Sequence, residues 1–340
     1  MLGRSYLPPH HIGQGAPRRR MTEPSATSDM APKRYATAGD YVQLLKPRIM
    51  MLVVFTAIAG LVAAVGVTGV LINPVMAAIA TLAIALGSGA AGAINMWYDA
   101  DIDQIMTRTS TRPIPSGAVP KEEALAMGLI MSGVSVLLMW LASNWLAAAL
   151  LAFSIFYYGV IYTMWLKRST PQNIVIGGGA GAFPPVIGWA AVTGNTPVDA
   201  WILFAIIFFW TPPHFWALSL LAHGEYEKAG VPMLPVTHGA KATRNQILLY
   251  TILLVPIALL PVATGLGGWI YGLVTLALGL VFLAYAVRVW RSKAGDAGAS
   301  AADMKLARGM FFFSILYLFL VFAALIVEHA AGLHFPVGGA

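Results

Sequence analysis

Asn95-Met-Trp-Tyr-Asp99-Ala-Asp101-Ile-Asp103-Gln-Ile-Met-Thr-Arg108-Thr-Ser-Thr-Arg112-Pro-Ile-Pro-Ser-Gly117 is the polar stretch around which the chain is arranged. A long apolar segment runs into it and another leaves it. Three of the fourteen acidic residues fall within five positions, and two arginines follow. Carboxylates at the edge of hydrocarbon are costly, so a cluster there is a functional-site candidate by default.

That reading depends on the chain being a membrane protein, and composition supplies this. Of 340 residues 58% are hydrophobic and only 10% are charged, against roughly 25% charged in soluble domains. The chain has no cysteine, which excludes disulfides, iron–sulfur clusters, heme-thiolate ligation and thiol catalysis. Windows of about 20 apolar residues span a bilayer as helices. Nine are predicted, over 48–70, 75–97, 121–141, 144–166, 172–193, 199–221, 245–264, 268–290 and 309–331. The expected fold class is therefore an all-α integral membrane protein, a bundle of nine transmembrane helices. Glycine and proline inside several windows (Gly177-Gly178-Gly179, Pro184-Pro185, Pro212-Pro213) suit close helix packing or a cavity wall.

Lysine and arginine set the orientation. With a cytoplasmic N-terminus the inside segments are the N-terminal arm and the connections after the second, fourth, sixth and eighth windows. These carry all 21 basic residues, from Arg4 to Lys46 and Arg48, then Arg108, Arg112 and Lys121, then Lys167 and Arg168, then Lys228, Lys241 and Arg244, and lastly Arg288 to Arg308. The opposite side has none, as the positive-inside rule requires. The net charge of +7 thus reports topology, and no nucleic acid is needed to explain it. Residues 1–40 read as a disordered cytoplasmic arm, 41–331 as the membrane domain and 332–340 as a short periplasmic tail. An Arg-rich mitochondrial transit peptide is the rival reading of the arm, and Met21 is an alternative start.

Asn95, Asp99 and Asp103 are spaced i, i+4, i+8. They drift about 40° per step on an α-helix and share one face, while Asp101 points elsewhere. One carbonyl oxygen and two carboxylates make a hard-oxygen site suited to Mg²⁺, which takes one or two carboxylates plus substrate phosphates. A solvated helix end and a transporter cation site are the alternatives. Arg108 and Arg112 can clamp phosphate oxygens. Lys167 is the phosphate candidate of the second inside loop, ahead of Arg168, with Asn173 opening the next helix. Lys46 and Arg48 precede the first window, where anchoring and phosphate roles are equally open. In Glu225-Tyr226-Glu227-Lys228, Glu225 is a candidate to complete a metal shell, and Tyr226 and Lys228 are candidates to contact phosphate. His214 sits in an apolar helix within Trp210-Thr-Pro-Pro-His214-Phe-Trp216, as a ligand candidate or a hydrogen-bonded core residue. The other histidines read as bland, as do Glu122 and Glu123 in the first turn of a helix. The run from His214 to Glu225 weakly echoes the run from Asn95 to Asp103.

These stretches resemble the intramembrane prenyltransferases of the UbiA superfamily over about residues 41–330. Leu45-Lys46-Pro47-Arg48 and Asn95 to Gly117 fit the superfamily broadly. The run Leu166 to Gly178, Pro212-Pro213-His214-Phe215-Trp216 and Ala229-Gly230-Val231-Pro232-Met233-Leu234-Pro235 are similar to its heme-farnesylating branch. The resemblance implies a central cavity and two aspartate-rich loops that bind farnesyl diphosphate through Mg²⁺. It carries Asn95, Asp99 and Asp103 into the first loop. The second is commonly Asp-rich in relatives, and here the matching position is Glu225. What the resemblance implies for activity is transfer of a farnesyl group to a vinyl group of heme B with addition of water, forming heme O. His214 would hold heme by iron ligation or by a propionate contact. The product would pass to a heme A synthase and then a terminal oxidase. A sister enzyme acting on an aromatic quinone precursor, and a non-catalytic heme carrier or transporter, are the competing readings. The expected location is a bacterial inner membrane with the working face cytoplasmic.

Overall fold

The computed structural model describes residues 35–334. The arm read over 1–40 lies outside the described residues up to Arg34, as does the tail from residue 335 onward. Among the described residues there is no strand, and nine helices are long and apolar enough to cross a membrane: α1 (Pro47–Thr68), α2 (Pro74–Tyr98), α3 (Lys121–Ala142), α4 (Trp145–Ser169), α5 (Asn173–Thr193), α6 (Val198–Leu221), α7 (Leu234–Thr264), α8 (Trp269–Arg291) and α9 (Ala301–Ala330).

Local chemistry sets the ends of these helices. Proline occupies the first turn of α1 and α2, where its missing N–H costs nothing. The Asn73 side chain caps α2 by accepting from the Val75 N–H at 2.9 Å. Gly69, at φ +67°, ends α1 in the left-handed conformation. Helix α9 begins eight residues before its apolar window because Ser300 and Asp303 form a reciprocal capping box. Helix α7 likewise starts early, at Leu234, and bends at Gly239, where φ is +80°. Hydropathy alone misses both starts because polar residues, among them His238, Lys241 and Arg244 in α7 and Asp303, Lys305 and Arg308 in α9, precede the apolar runs.

Water does not drive helices together inside lipid, so close packing of small residues must. The crossing of α1 and α5 shows this. A Cβ added at Gly60 would lie 2.1 Å from the Pro185 carbonyl oxygen, and one at Gly188 would lie 2.1 Å from that of Ala57. Each glycine thus admits the other helix's backbone. Helix α9 packs against α8, α6 and α1. At the end of the bundle away from the polar loops, Glu328 of α9 is fully buried. Its two oxygens accept the Gly268 and Tyr271 N–H groups at 2.7 and 2.8 Å, so a carboxylate caps the N-terminus of α8 from another helix.

Two outcomes follow for thermal unfolding in detergent. Gly60→Ala and Gly188→Ala each lower stability by about 1–3 kcal/mol through overpacking. Glu328→Ala costs on the order of 3 kcal/mol by leaving two buried amides unpaired. Unchanged unfolding midpoints would contradict this packing.

Candidate active site

The last turns of α2 carry the carboxylate stripe. Asp99 ends α2, and a helix over Ala100–Ile105 follows. Helical spacing survives the junction, since the Asp99 N–H donates to Asn95 O and the Asp103 N–H to Asp99 O, at 2.9 and 2.8 Å. Asn95, Asp99 and Asp103 therefore share one face, and all are buried, Asp99 at 0% and Asp103 at 2% exposure. Asp101 points away and is exposed. Both Nη atoms of Arg168 grip it at 2.7 Å, which holds its carboxyl down at about 2. Arg168 thus anchors the loop, as the sequence left open.

Basic side chains from three other segments converge on the stripe. Lys167 Nζ lies 2.5 Å from Asp99 Oδ2, and Arg112 Nη1 lies 2.7 Å from Asp103 Oδ2. Lys46 Nζ donates to Asn95 Oδ1. Lys46 has φ +52°, the one positive φ at a non-glycine among the described residues. Strain of this kind gathers at functional sites. Desolvation, with Arg112 and Lys167 nearby, pulls its ammonium down to about 7.

Helix α4 delivers Lys167 through an unusual backbone. Over Tyr157–Leu166 it is a π-helix, a wide turn that is frequent at functional sites. Thr163 donates to Tyr158 O five residues back, at 2.7 Å, and accepts from Asn95 Nδ2 at 3.0 Å. Asn95 Nδ2 also reaches Asp99 Oδ2 at 2.7 Å. Asn173 is buried beneath this end and donates to the Lys167 carbonyl at 3.4 Å, so it supports Lys167 from below.

The second polar loop packs on the first. Ile102 and Met106 form one apolar cluster with Ile174, Tyr226, Val231 and Met233, and Arg108 Nη2 donates to the Tyr226 hydroxyl at 3.4 Å. The echo noted in the sequence extends to shape, since α6 too is followed by a six-residue helix, His223–Lys228. Glu225 is half-buried and Lys228 exposed, and neither has a side-chain partner among the described residues. Arg48 is exposed and lies apart from the stripe, at an apolar groove between α1 and α9 lined by Phe55, Phe312 and Phe319.

His214 lies in the bundle beside α9, buried to 8% exposure. Trp210 stacks on the ring at 4.3 Å and Phe311 at 4.7 Å between centroids. Nδ1 is 2.7 Å from Ser314 Oγ. Close backbone packing of α5 joins this point to the stripe. A Cβ at Gly177 would strike the Tyr162 ring, and one at Gly178 would strike Thr211, one turn from His214.

Thr163 and Ser314 are the partners that sequence reading missed. Thr163 had a faint signal, sitting one turn before Lys167; Ser314, a lone hydroxyl in an apolar helix, had none.

Among the described residues no three His, Asp or Glu side chains converge into a ready metal cage. The stripe nonetheless fits a divalent ion. Asp99 Oδ1 is buried without a hydrogen-bond donor, and Arg168 Nη2 lies 3.6 Å from it. An anionic hard oxygen left without a donor beside a second carboxylate suits Mg²⁺ completed by phosphate oxygens.

The profile of the UbiA prenyltransferase family matches residues 53–316. A Hyphomonas neptunium protein named protoheme IX farnesyltransferase is 81% identical over 320 residues, spanning 94% of this chain and all of its own. A Caulobacter vibrioides protein of the same name is 59% identical, spanning 86% of this chain and 91% of its own. Among solved structures, a digeranylgeranylglyceryl phosphate synthase superposes with a TM-score of 0.68 at 18% identity, covering 86% of this chain and 98% of its own. A UbiA homolog from Archaeoglobus fulgidus bound to GPP and Mg²⁺ superposes with a TM-score of 0.60 at 18% identity, covering 84% and 99%. The two structures share the fold, and the profile and the sequence relatives decide membership. The chain belongs to the UbiA prenyltransferase family.

Proposed function

We propose that this chain transfers the farnesyl group of farnesyl diphosphate to a vinyl group of heme B with addition of water, giving heme O. The observation that carries the diphosphate half is the buried Asn95–Asp99–Asp103 stripe with Lys46, Arg112 and Lys167 against it. The heme half is supported by the relatives named protoheme IX farnesyltransferase.

The chemistry asks little of protein nucleophiles. The allylic C1–O bond of farnesyl diphosphate breaks when the leaving group's charge is neutralised. Arg112 and Lys167 now neutralise Asp103 and Asp99. Diphosphate oxygens offer these cations denser negative charge, and as they turn to it they free the carboxylates. Asp99 and Asp103, with Asn95 and Glu225 as further candidates, would then hold Mg²⁺. Bound there, Mg²⁺ supplies Lewis-acid stabilisation of the departing diphosphate. Arg108 is held toward the same loops by Tyr226 and adds positive charge, and Lys228 and Arg48 stand nearer the surface. Asn173 and Thr163 position Lys167 and Asn95. The apolar bundle keeps water from the allylic cation until the vinyl carbon has bonded to farnesyl C1. Water then captures the heme-side cation, losing a proton. His214 is the candidate for holding heme.

In this reading the N-terminus and the polar loops face the cytoplasm of a bacterial inner membrane. The single-sided distribution of lysine and arginine supports this. Residues 41–331 form the prenyltransferase domain, between the arm of 1–40 and a periplasmic tail of 332–340. The recipient of the product is a heme A synthase or a terminal oxidase.

Purified protein given heme B, farnesyl diphosphate and Mg²⁺ produces heme O, detected by mass, and chelation of the metal stops diphosphate release. A heme product that appears with the metal removed would overturn the metal assignment, and no product under any condition would overturn the function. Asp99→Ala and Asp103→Ala reduce turnover at least about 100-fold, as loss of transition-state charge stabilisation does, while the protein remains inserted. Asp101→Asn retains most of it, because Asp101 faces Arg168 outside the stripe. Equal losses in all three variants would contradict the one-face geometry.

A further inference from the structure

His214 and its neighbours carry more information than the presence of a histidine. A hydroxyl has one proton to give. Ser314 Oγ lies 2.6 Å from the Phe311 carbonyl oxygen on its own helix. Two oxygens that close need a proton between them, and only the serine has one. Ser314 Oγ is therefore an acceptor toward His214 Nδ1 at 2.7 Å, and the proton of that bond sits on Nδ1. The Ser314 carbonyl is engaged as well, by the Trp210 indole N–H at 2.7 Å. One residue of α9 thus holds both Trp210 and His214, which stack one turn apart on α6.

With the proton on Nδ1, the lone pair of the neutral ring is on Nε2. That atom makes no hydrogen bond among the described residues. It is not among the sealed and unpartnered side-chain nitrogens, which include the indole nitrogens of Trp189 and Trp216. Trp210 on one face and Phe311 on the other prevent the ring from turning. A lone pair cannot donate to a propionate. It can bind a metal, and a histidine whose other N–H is anchored is the usual arrangement of a metal-bound imidazole.

Resting on the heme-farnesylation reading above, we propose that His214 binds the substrate heme through its iron, by Nε2, and that Ser314 is the positioning residue that sets this tautomer and aims the ring. The groups packed around the ring are Trp210, Phe215, Phe311 and Ser314, none of them charged. Among the described residues no hydrogen-bond donor engages the Nε2 lone pair, and none of these four groups carries a charge to pair with a carboxylate.

The test uses the full chain in lipid nanodiscs with ferrous heme B, read by resonance Raman spectroscopy and heme titration. The wild type shows an iron–histidine stretch. His214→Gly loses it and added imidazole restores it, which separates loss of the ligand from loss of the fold. Ser314→Ala keeps the band at lower frequency, because the Nδ1 proton has lost its acceptor, and weakens heme binding roughly 10-fold, the lower end of such outer-ligand effects. Ser314→Thr keeps both wild-type values. An unchanged iron–histidine band in His214→Gly, or an unchanged band and affinity in Ser314→Ala, overturns the proposal. Heme O measured by mass after farnesyl diphosphate and Mg²⁺ are added to the same samples keeps the two readings apart. Product with a band indifferent to His214 refutes iron ligation alone, and a His214-dependent band without product refutes the transferase reading alone.

Discussion

Two carboxylates buried at the end of an apolar helix set the terms for the rest of this molecule. Asp99 and Asp103 are withdrawn from water almost completely, and an unpaired buried charge costs several kcal/mol. Each must be met by a cation, and the cations come from different parts of the chain: Lys167 from the end of α4 and Arg112 from the loop after Asp103. Lys46, at the start of α1, meets the amide of Asn95 instead. The polar loops are held at one end of the bundle by this requirement as much as by helix packing. Apolar contacts between Ile102, Met106, Tyr226 and Met233 join the loop after α6 to the same assembly.

The backbone bears local costs where these charges meet. Lys46 occupies the left-handed region that lysine ordinarily avoids. The π-helix of α4 gives up the tighter α hydrogen bonding over Tyr157–Leu166. Both departures lie at the stripe, and both place a side chain on Asn95 or Asp99. At the far end of the bundle, the buried Glu328 is satisfied by backbone amides alone and serves packing. A buried carboxylate is thus no marker of chemistry by itself, and the nature of its partners decides.

Much of this was legible in the sequence, for physical reasons. The nine spans were readable because hydrocarbon demands long apolar runs. The stripe was readable because i, i+4 spacing holds across the junction at Asp99, where the Asp103 N–H still donates to Asp99 O. The separation of Asp101 from Asp99 and Asp103 follows from the same spacing. The starts of α7 and α9 were not readable from hydropathy, since Gly239 and the Ser300–Asp303 capping box act through backbone geometry. Lys46 and Arg48 looked alike in sequence, yet they part once α1 turns, one to Asn95 and the other to the surface. Ser314 was invisible because its partner is 100 residues away, and only the packing of α6 on α9 brings them together.

The central claim is that metal and diphosphate occupy this site together, the diphosphate drawing Lys167 and Arg112 off the carboxylates that the metal needs. Linkage then requires each to strengthen the other's binding by the same factor. The most direct measurement is Mn²⁺ binding to the purified protein by electron paramagnetic resonance, with and without inorganic diphosphate, corrected for the Mn²⁺–diphosphate complex in free solution. The account predicts weak Mn²⁺ binding alone and at least about tenfold tighter binding with diphosphate, an enhancement that Asp99→Ala removes. Equal Mn²⁺ affinity in the two conditions, or an enhancement indifferent to Asp99, would contradict it.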